Sequence, residues 1–282
     1  MVTGKTKCLG ILGWPVEHSF SPQMQNAAFK SAGLDYTYVP LAVHPEQLSK
    51  AVNGLKALSF VGANVTIPHK VTIMSYLDEL DQSAKMVGAV NTIVIRDNKA
   101  YGHNTDACGF IQSLLKRGVT LSGKHAVILG AGGAARAVIW GLIEQGIASV
   151  SIGVRNVEKA QDLMNVFTPF ANISAYQWPS TKFDSIISNC DILINSTPLG
   201  MYPNVQAEPQ VDWPNLTRPI AVCDLIYTPT KTNFLLHAEQ QGHLIINGMG
   251  MLVEQGAAAF TLWTGVQAPT EVMYAELARK KV

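Results

Sequence analysis

The chain has 282 residues, 48% of them hydrophobic and 15% charged, with a formal net charge of +1. That length suggests about two domains with ample core, and the near-zero charge excludes a general attraction to nucleic acid or anionic membrane. The four cysteines, Cys8, Cys108, Cys190 and Cys223, show no CxxC spacing. They point to reduced thiols in a cytoplasmic protein rather than to disulfides or zinc, and no stretch approaches the ~20 apolar residues that span a bilayer.

Residues 8–12 read as a strand ending at Gly13, and the loop after it carries Ser19 and Ser21. Pro22 suits the first turn of a helix that runs to about residue 30. Ser21 reads either as the N-cap of that helix or, with Ser19, as a hydroxyl pair for a substrate carboxylate. A second strand over 36–43, an amphipathic helix over 45–58 and a third strand over 60–65 follow. This alternation predicts a mainly parallel sheet. The third strand runs into Asn64-Val65-Thr66-Ile67-Pro68-His69-Lys70. Asn64 and Thr66 share a strand face, Pro68 stops the strand, and Lys70 opens the next helix. Polar groups thus gather at the carboxyl end of a strand, where α/β sheets bind ligands. A lysine at a helix start opposes the helix dipole and so asks for a reason, although a solvated surface lysine remains the ordinary reading of Lys70. After a helix over 78–87, Gly88-Ala89-Val90-Asn91-Thr92 leads into a strand over 92–95. Asp97-Asn98 makes a hairpin turn and the chain returns over 101–104. Asp106 stands at the start of a helix over 107–116, where either it or Thr105 suits the cap.

Residues 118–123 read as a hinge into the second domain. Residues 126–129 form a short apolar run, followed by Gly130, Ala131, Gly132, Gly133 and Ala134 and a helix over 134–143. Strand, glycine turn and helix make a dinucleotide-binding fingerprint. Its first glycine allows the turn, its second admits a pyrophosphate, and its third position, Ala135, lets the helix pack on the strand. The next strand, 149–154, ends in Val154-Arg155-Asn156 with no carboxylate to hold a ribose. Arg155 suits a 2′-phosphate, with Lys159 nearby, so the expected cofactor is NADP. Strands over 191–195, 220–225 and 244–246 follow, with a helix over 233–241. Gly248-Met249-Gly250-Met251 leads into a long apolar helix to about residue 263, with Gln255 its notable polar residue, and a terminal helix over 270–281 follows.

Seven motifs in order resemble the shikimate/quinate dehydrogenase family over nearly the whole chain: Ser19-Phe20-Ser21-Pro22, the stretch from Asn64 to Lys70, the stretch from Gly88 to Thr92, Asn104-Thr105-Asp106, Gly130-Ala131-Gly132-Gly133-Ala134, Asn195-Ser196-Thr197-Pro198-Leu199-Gly200-Met201, and Gly250-Met251-Leu252-Val253-Glu254-Gln255. The resemblance implies an α/β protein with an N-terminal substrate domain, residues 1–105 completed by 252–282, and a Rossmann-type cofactor domain, residues 106–251, facing a cleft. It implies reversible NADPH-dependent reduction of 3-dehydroshikimate to shikimate, a step toward chorismate, by a monomer or homodimer. An NAD-dependent quinate/shikimate dehydrogenase is the alternative. Carried over by position, Ser19, Ser21 and Tyr227 would bind the substrate carboxylate, and Thr66, Asn91 and Gln255 its hydroxyls, with Asn64 in the same set. Lys70 would be the acid/base and Asp106 its positioning partner. The glycine turn would hold the pyrophosphate, Arg155, Asn156 and Lys159 the adenosine phosphate, and Leu225 and Gly248 the nicotinamide end. No metal is implied, because hydride chemistry belongs to the nicotinamide. The family's NADP type usually reads Asn-Arg-Thr at the strand tip, where this chain keeps only Arg155.

Overall fold

The computed structural model describes residues 2–279, apart from the side chain of Lys159. The chain divides into two compact units, one running up to Gly109 and resuming at Val253, the other running from Phe110 to Leu252. The division falls inside a helix, not in the 118–123 loop.

The first unit begins with β1 (Lys7–Gly13), α1 (Ser21–Ser31), β2 (Tyr36–Ala42), α2 (Leu48–Ala57) and β3 (Gly62–Val65). It continues with β4 (Glu79–Leu80), α3 (Gln82–Val87), β5 (Thr92–Arg96), β6 (Lys99–His103) and the start of α4 (Asp106–Leu115). The strand order is β2-β1-β3-β5-β6-β4. β1 runs parallel to β2 and β3, as the alternation of strands and helices predicts, whereas β5 is antiparallel to β3 and β6. The β5–β6 turn has positive φ at both Asp97 (50°) and Asn98 (59°), the mirror-image turn whose twist matches a hairpin. Leu12, Val52, Leu55, Val65, Ile73 and Ile93 form the core on one side of this sheet. Two local expectations fail here. Phe20, not Ser21, is the N-cap of α1, and Ser21 is its first helical residue. Lys70 sits in a turn before the short 3₁₀ helix Thr72–Tyr76, so the argument from a helix dipole does not apply to it.

The second unit comprises β7 (His125–Leu129), α5 (Gly133–Glu144), β8 (Ser149–Val154), α6 (Gln161–Phe167), β9 (Asn172–Gln177), α7 (Thr181–Ile187), β10 (Ile192–Asn195), β11 (Ala221–Asp224), α8 (Asn233–Gln240) and β12 (Leu244–Ile246). Its strand order is β12-β11-β10-β7-β8-β9, and every pair is parallel. The chain starts at the centre, winds outward through β8 and β9, then returns to lay β10, β11 and β12 on the other side. This is the doubly wound dinucleotide-binding order, with its switch point between β7 and β10. β9, at the sheet edge, has no apolar run to announce it, and neither it nor its flanking helices are evident from periodicity.

The last elements, α9 (Gly248–Thr264) and α10 (Thr270–Ala278), complete the first unit from Val253 onward. Gln25 Nε2 donates to the Gly256 carbonyl at 2.9 Å, and Trp263 Nε1 donates to the Ile93 carbonyl at 2.9 Å. Gly62 on β3 leaves room for that indole: a Cβ there would run into the Ile93 carbonyl and the Trp263 ring. Gly54 in α2 is the contrasting case, since a Cβ there meets nothing. Gly62→Ala should therefore lower stability by about 1–3 kcal/mol, whereas Gly54→Ala should raise it by about 0.5–1 kcal/mol. Denaturant midpoints of the two variants check both signs.

Candidate active site

The site in the first unit grows from one backbone donor. The Thr105 N–H reaches Asn91 Oδ1 at 2.8 Å. A backbone N–H can only donate, so this contact fixes which end of the Asn91 amide is oxygen. Asn91 Nδ2 then faces Asp106 and donates to Oδ1 at 2.8 Å. Lys70 Nζ donates to the other oxygen, Asp106 Oδ2, at 2.6 Å. Asp106 is thus held by two donors from opposite sides, and the ammonium of Lys70 is aimed by a charge-assisted bond. Lys70 remains about a third exposed (32%) against 17% for Asp106, so the ammonium keeps a face toward solvent and ligands. The Lys70 carbonyl accepts from the Val90 N–H at 2.8 Å, which ties its turn to the segment that carries Asn91. His69, only 1% exposed, secures the same turn by donating from Nε2 to the Val43 carbonyl at 2.8 Å.

The remaining substrate-side residues divide. Gln255 Oε1 lies 3.4 Å from Asn91 Nδ2, which brings the polar residue of α9 to the cluster. Thr66 follows β3 directly and is half-buried, its methyl occupying the space that a side chain at Gly13 would need. Ser19 Oγ accepts from the Ser21 N–H at 3.2 Å, and the Ser21 hydroxyl hydrogen-bonds the buried Tyr38 phenol. Asn64 is turned inward. Its Oδ1 accepts from the Tyr38 hydroxyl at 2.7 Å, while Nδ2 donates to the Asn91 carbonyl and to Thr92 Oγ1, both at 3.1 Å. Both amide protons of Asn64 are spent within the protein. Tyr227 belongs to the second unit, and burial raises its phenol above the usual range.

In the second unit the glycine turn departs from β7 at the switch point. Gly130 has φ +98°, and a Cβ there would press on Ser196 and Thr197, so the position requires glycine. Gly132 and Gly133 have open space where a Cβ would stand. Gly132 begins α5 without a side-chain cap, and the first turn of that helix holds no acidic residue. Ala135 is fully buried against the sheet. An open cradle of backbone N–H groups at a helix start fits a pyrophosphate, and these residues therefore fit a dinucleotide. Ala131 and Ala134 line the same turn. At the tip of β8, Arg155 is exposed and has no ion-pair partner among the described residues. Asn156 uses its Oδ1 to accept the Glu158 N–H at 2.9 Å, which shapes the turn beside Arg155. The side chain of Lys159 lies outside the described residues. Gly248 packs so closely on the Leu225 carbonyl that no Cβ could fit between them, which brings together the two residues expected at the nicotinamide end.

A further polar knot stands where β10 and β11 end. Asp224 accepts from Asn195 Nδ2 at 3.1 Å, from the Ile226 N–H at 3.1 Å and from Thr232 Oγ1 at 2.6 Å. Asn195 Oδ1 accepts from the Thr197 N–H at 3.0 Å, which again sets the amide by a backbone donor. Burial pushes the Asp224 carboxyl up to about 6, against the pull of these three donors. Nothing in the sequence reading singled out Asp224; its burial appears only when two strands and the N-cap of α8 converge.

The shikimate dehydrogenase substrate binding domain matches residues 11–93, the shikimate/quinate 5-dehydrogenase domain residues 113–207, and the shikimate 5'-dehydrogenase C-terminal domain residues 248–278. A shikimate dehydrogenase (NADP+) of Methanocaldococcus jannaschii is 48% identical over 97% of this chain and 96% of its own length. The chain belongs to the shikimate dehydrogenase family. Among solved structures, a shikimate dehydrogenase in complex with NADP+ superposes with a TM-score of 0.91 at 45% identity, covering 100% of this chain and 98% of that one. The shikimate 5-dehydrogenase of Listeria monocytogenes, in complex with shikimate and NAD, gives 0.94 at 34% identity, covering 98% of both chains.

The raised Asp224 carboxyl carries a signed consequence. In an unfolded chain this group loses its proton near about 3.9, whereas in the folded protein it keeps it to about 6. The folded state binds the extra proton across that window, so its stabilising effect is complete below the window and lost as pH rises through it. The stability of the native chain relative to Asp224→Asn should therefore fall between about pH 4 and pH 6. Urea titrations of both proteins across that range read the difference.

Proposed function

We propose that this chain is an NADP-dependent shikimate dehydrogenase that interconverts 3-dehydroshikimate and shikimate. The Lys70–Asp106 pair, 2.6 Å apart and held by Asn91, carries the reading together with the family membership. Reduction of a ketone builds negative charge on its oxygen. The Lys70 ammonium donates a proton from Nζ to that oxygen, and in the reverse direction Nζ accepts it. Asp106 fixes the direction of Nζ and, with lone pairs left on its oxygens, also takes a hydrogen bond from the substrate hydroxyl. Thr66, Asn91 and Gln255 bind ring hydroxyls. Ser19, Ser21 and Tyr227 bind the carboxylate through hydroxyl donors. Asn64 acts on the substrate at one remove, because its amide protons are already engaged.

NADPH, when bound, supplies the hydride. Gly130, Ala131, Gly132, Gly133 and Ala134 and the start of α5 hold its pyrophosphate. Arg155, beside Asn156 and Lys159, pairs with its 2′-phosphate, and Leu225 and Gly248 receive its nicotinamide end. The first unit is accordingly the substrate and catalytic domain, and the second the cofactor domain. Among the described residues no helix is long and apolar enough to cross a membrane, and all four cysteines are free, which supports a place in the reducing cytoplasm.

Absorbance at 340 nm with shikimate or quinate, each with NADP or NAD, tests the reading. Shikimate with NADP should dominate kcat/KM, and dominance of quinate with NAD would overturn it. Lys70→Ala should keep shikimate affinity while kcat falls by about 10²-fold or more. Arg155→Ala should raise the KM for NADP by about tenfold and leave that for NAD unchanged. Steady-state kinetics and shikimate titration read both variants.

A further inference from the structure

The donors around Asp106 extend well beyond the residues that meet substrate. From the fixed Asn91 amide the chain of bonds runs outward with a single direction at every link. Thr92 Oγ1 lies 3.0 Å from Asn91 Oδ1 and must donate to it. Its lone pair then accepts from Asn64 Nδ2 at 3.1 Å. Asn64 Oδ1 is left facing the Tyr38 hydroxyl at 2.7 Å, which donates. The Ser21 hydroxyl meets the same phenol. One continuous path therefore links the serine loop to the catalytic pair: Ser21, Tyr38, Asn64, Thr92, Asn91, Asp106. Tyr38 is 2% exposed and Thr92 fully buried, so no solvent competes for these bonds. Burial holds the Tyr38 phenol well above its ordinary range, which keeps its proton in place as a donor.

We propose that Tyr38 is a positioning residue for the reaction, setting the orientation of Asp106 and Lys70 through the Asn64–Thr92–Asn91 path. The inference rests on the dehydrogenase reading above. Removing the phenol hydroxyl leaves Asn64 Oδ1 buried without a donor, a costly state that the amide relieves by turning. The turn reaches Thr92, then Asn91, then the carboxylate. A shift in the aim of Nζ acts on the chemical step, and misplacements of this order cost rate steeply. Tyr38 belongs to the first unit, whereas the residues expected to hold the cofactor phosphates belong to the second, so cofactor binding is spared.

The experiment uses the full chain with Tyr38→Phe, Thr92→Val, their double variant and Thr92→Ser. Two readouts are taken: steady-state kinetics with shikimate and NADP, and the side-chain amide NMR signals of Asn91 in ¹⁵N-labelled protein. Tyr38→Phe is expected to lower kcat by about tenfold, with the KM for NADP unchanged and the Asn91 side-chain signals displaced. The double variant should be no slower than Thr92→Val alone, because both cut one path. Thr92→Ser, which keeps the hydroxyl, should restore kcat. Unchanged kcat and Asn91 signals in Tyr38→Phe would overturn the proposal, as would multiplying losses in the double variant. If Tyr38→Phe does not fold, the contrast of Thr92→Val with Thr92→Ser decides the path. Wild-type protein that fails to oxidise shikimate sinks the dehydrogenase reading, and the Asn91 signals then decide the role of Tyr38 alone.

Discussion

The geometry of the catalytic pair depends on the bond from the Thr105 N–H to Asn91 Oδ1. At 2.8 Å it is short, buried and of one polarity, because the backbone offers no alternative donor or acceptor at that point. Every amide and hydroxyl nearby must fall in line with it or leave a buried group unpaired. The bond in turn depends on the β5–β6 hairpin. The Asp97–Asn98 turn sets the register that places Thr92 opposite His103, and the Asn91 N–H binds the His103 carbonyl at 3.1 Å. Asn91 and Thr105 flank that pairing, so a turn on the far end of the hairpin governs the spacing of residues at its base.

The second unit uses the same device. The Thr197 N–H orients Asn195, whose amide then serves Asp224, and Asp224 supports the turn that carries Leu225 and Ile226. In both units an asparagine at a strand end converts the fixed polarity of a backbone N–H into a directed side-chain donor. Asparagine suits this task because it carries donor and acceptor on one rigid plane. Aspartate would present acceptors at both ends, and the path would stop there.

The parts of this arrangement that are legible in the sequence are those with local causes. Gly130 announces itself because a turn with positive φ needs glycine, and the strand before it and helix after it are regular. The Asp97–Asn98 turn is equally local. Lys70 and Asp106 stand out as polar groups at strand and helix ends, although no α-helix dipole acts on Lys70: Pro68 begins a turn that leads to a 3₁₀ helix rather than an α-helix. Ser21 reads as a cap because Pro22 follows it, but its hydroxyl is drawn to Tyr38, a partner supplied by another strand. Tyr38, Thr92 and Asp224 look like ordinary strand residues. Their roles arise from neighbours distant along the chain, and no local pattern reports such a neighbour.

The first unit is interrupted in sequence, and the second is not. Gly256, Trp263 and the whole of α10 are the last pieces of the first unit, yet they emerge from the ribosome after the cofactor sheet is complete. Until then Gln25 and the Ile93 carbonyl lack the groups that satisfy them. During synthesis the later-encoded unit can finish folding first, while the earlier one waits with an open flank that a chaperone could recognise.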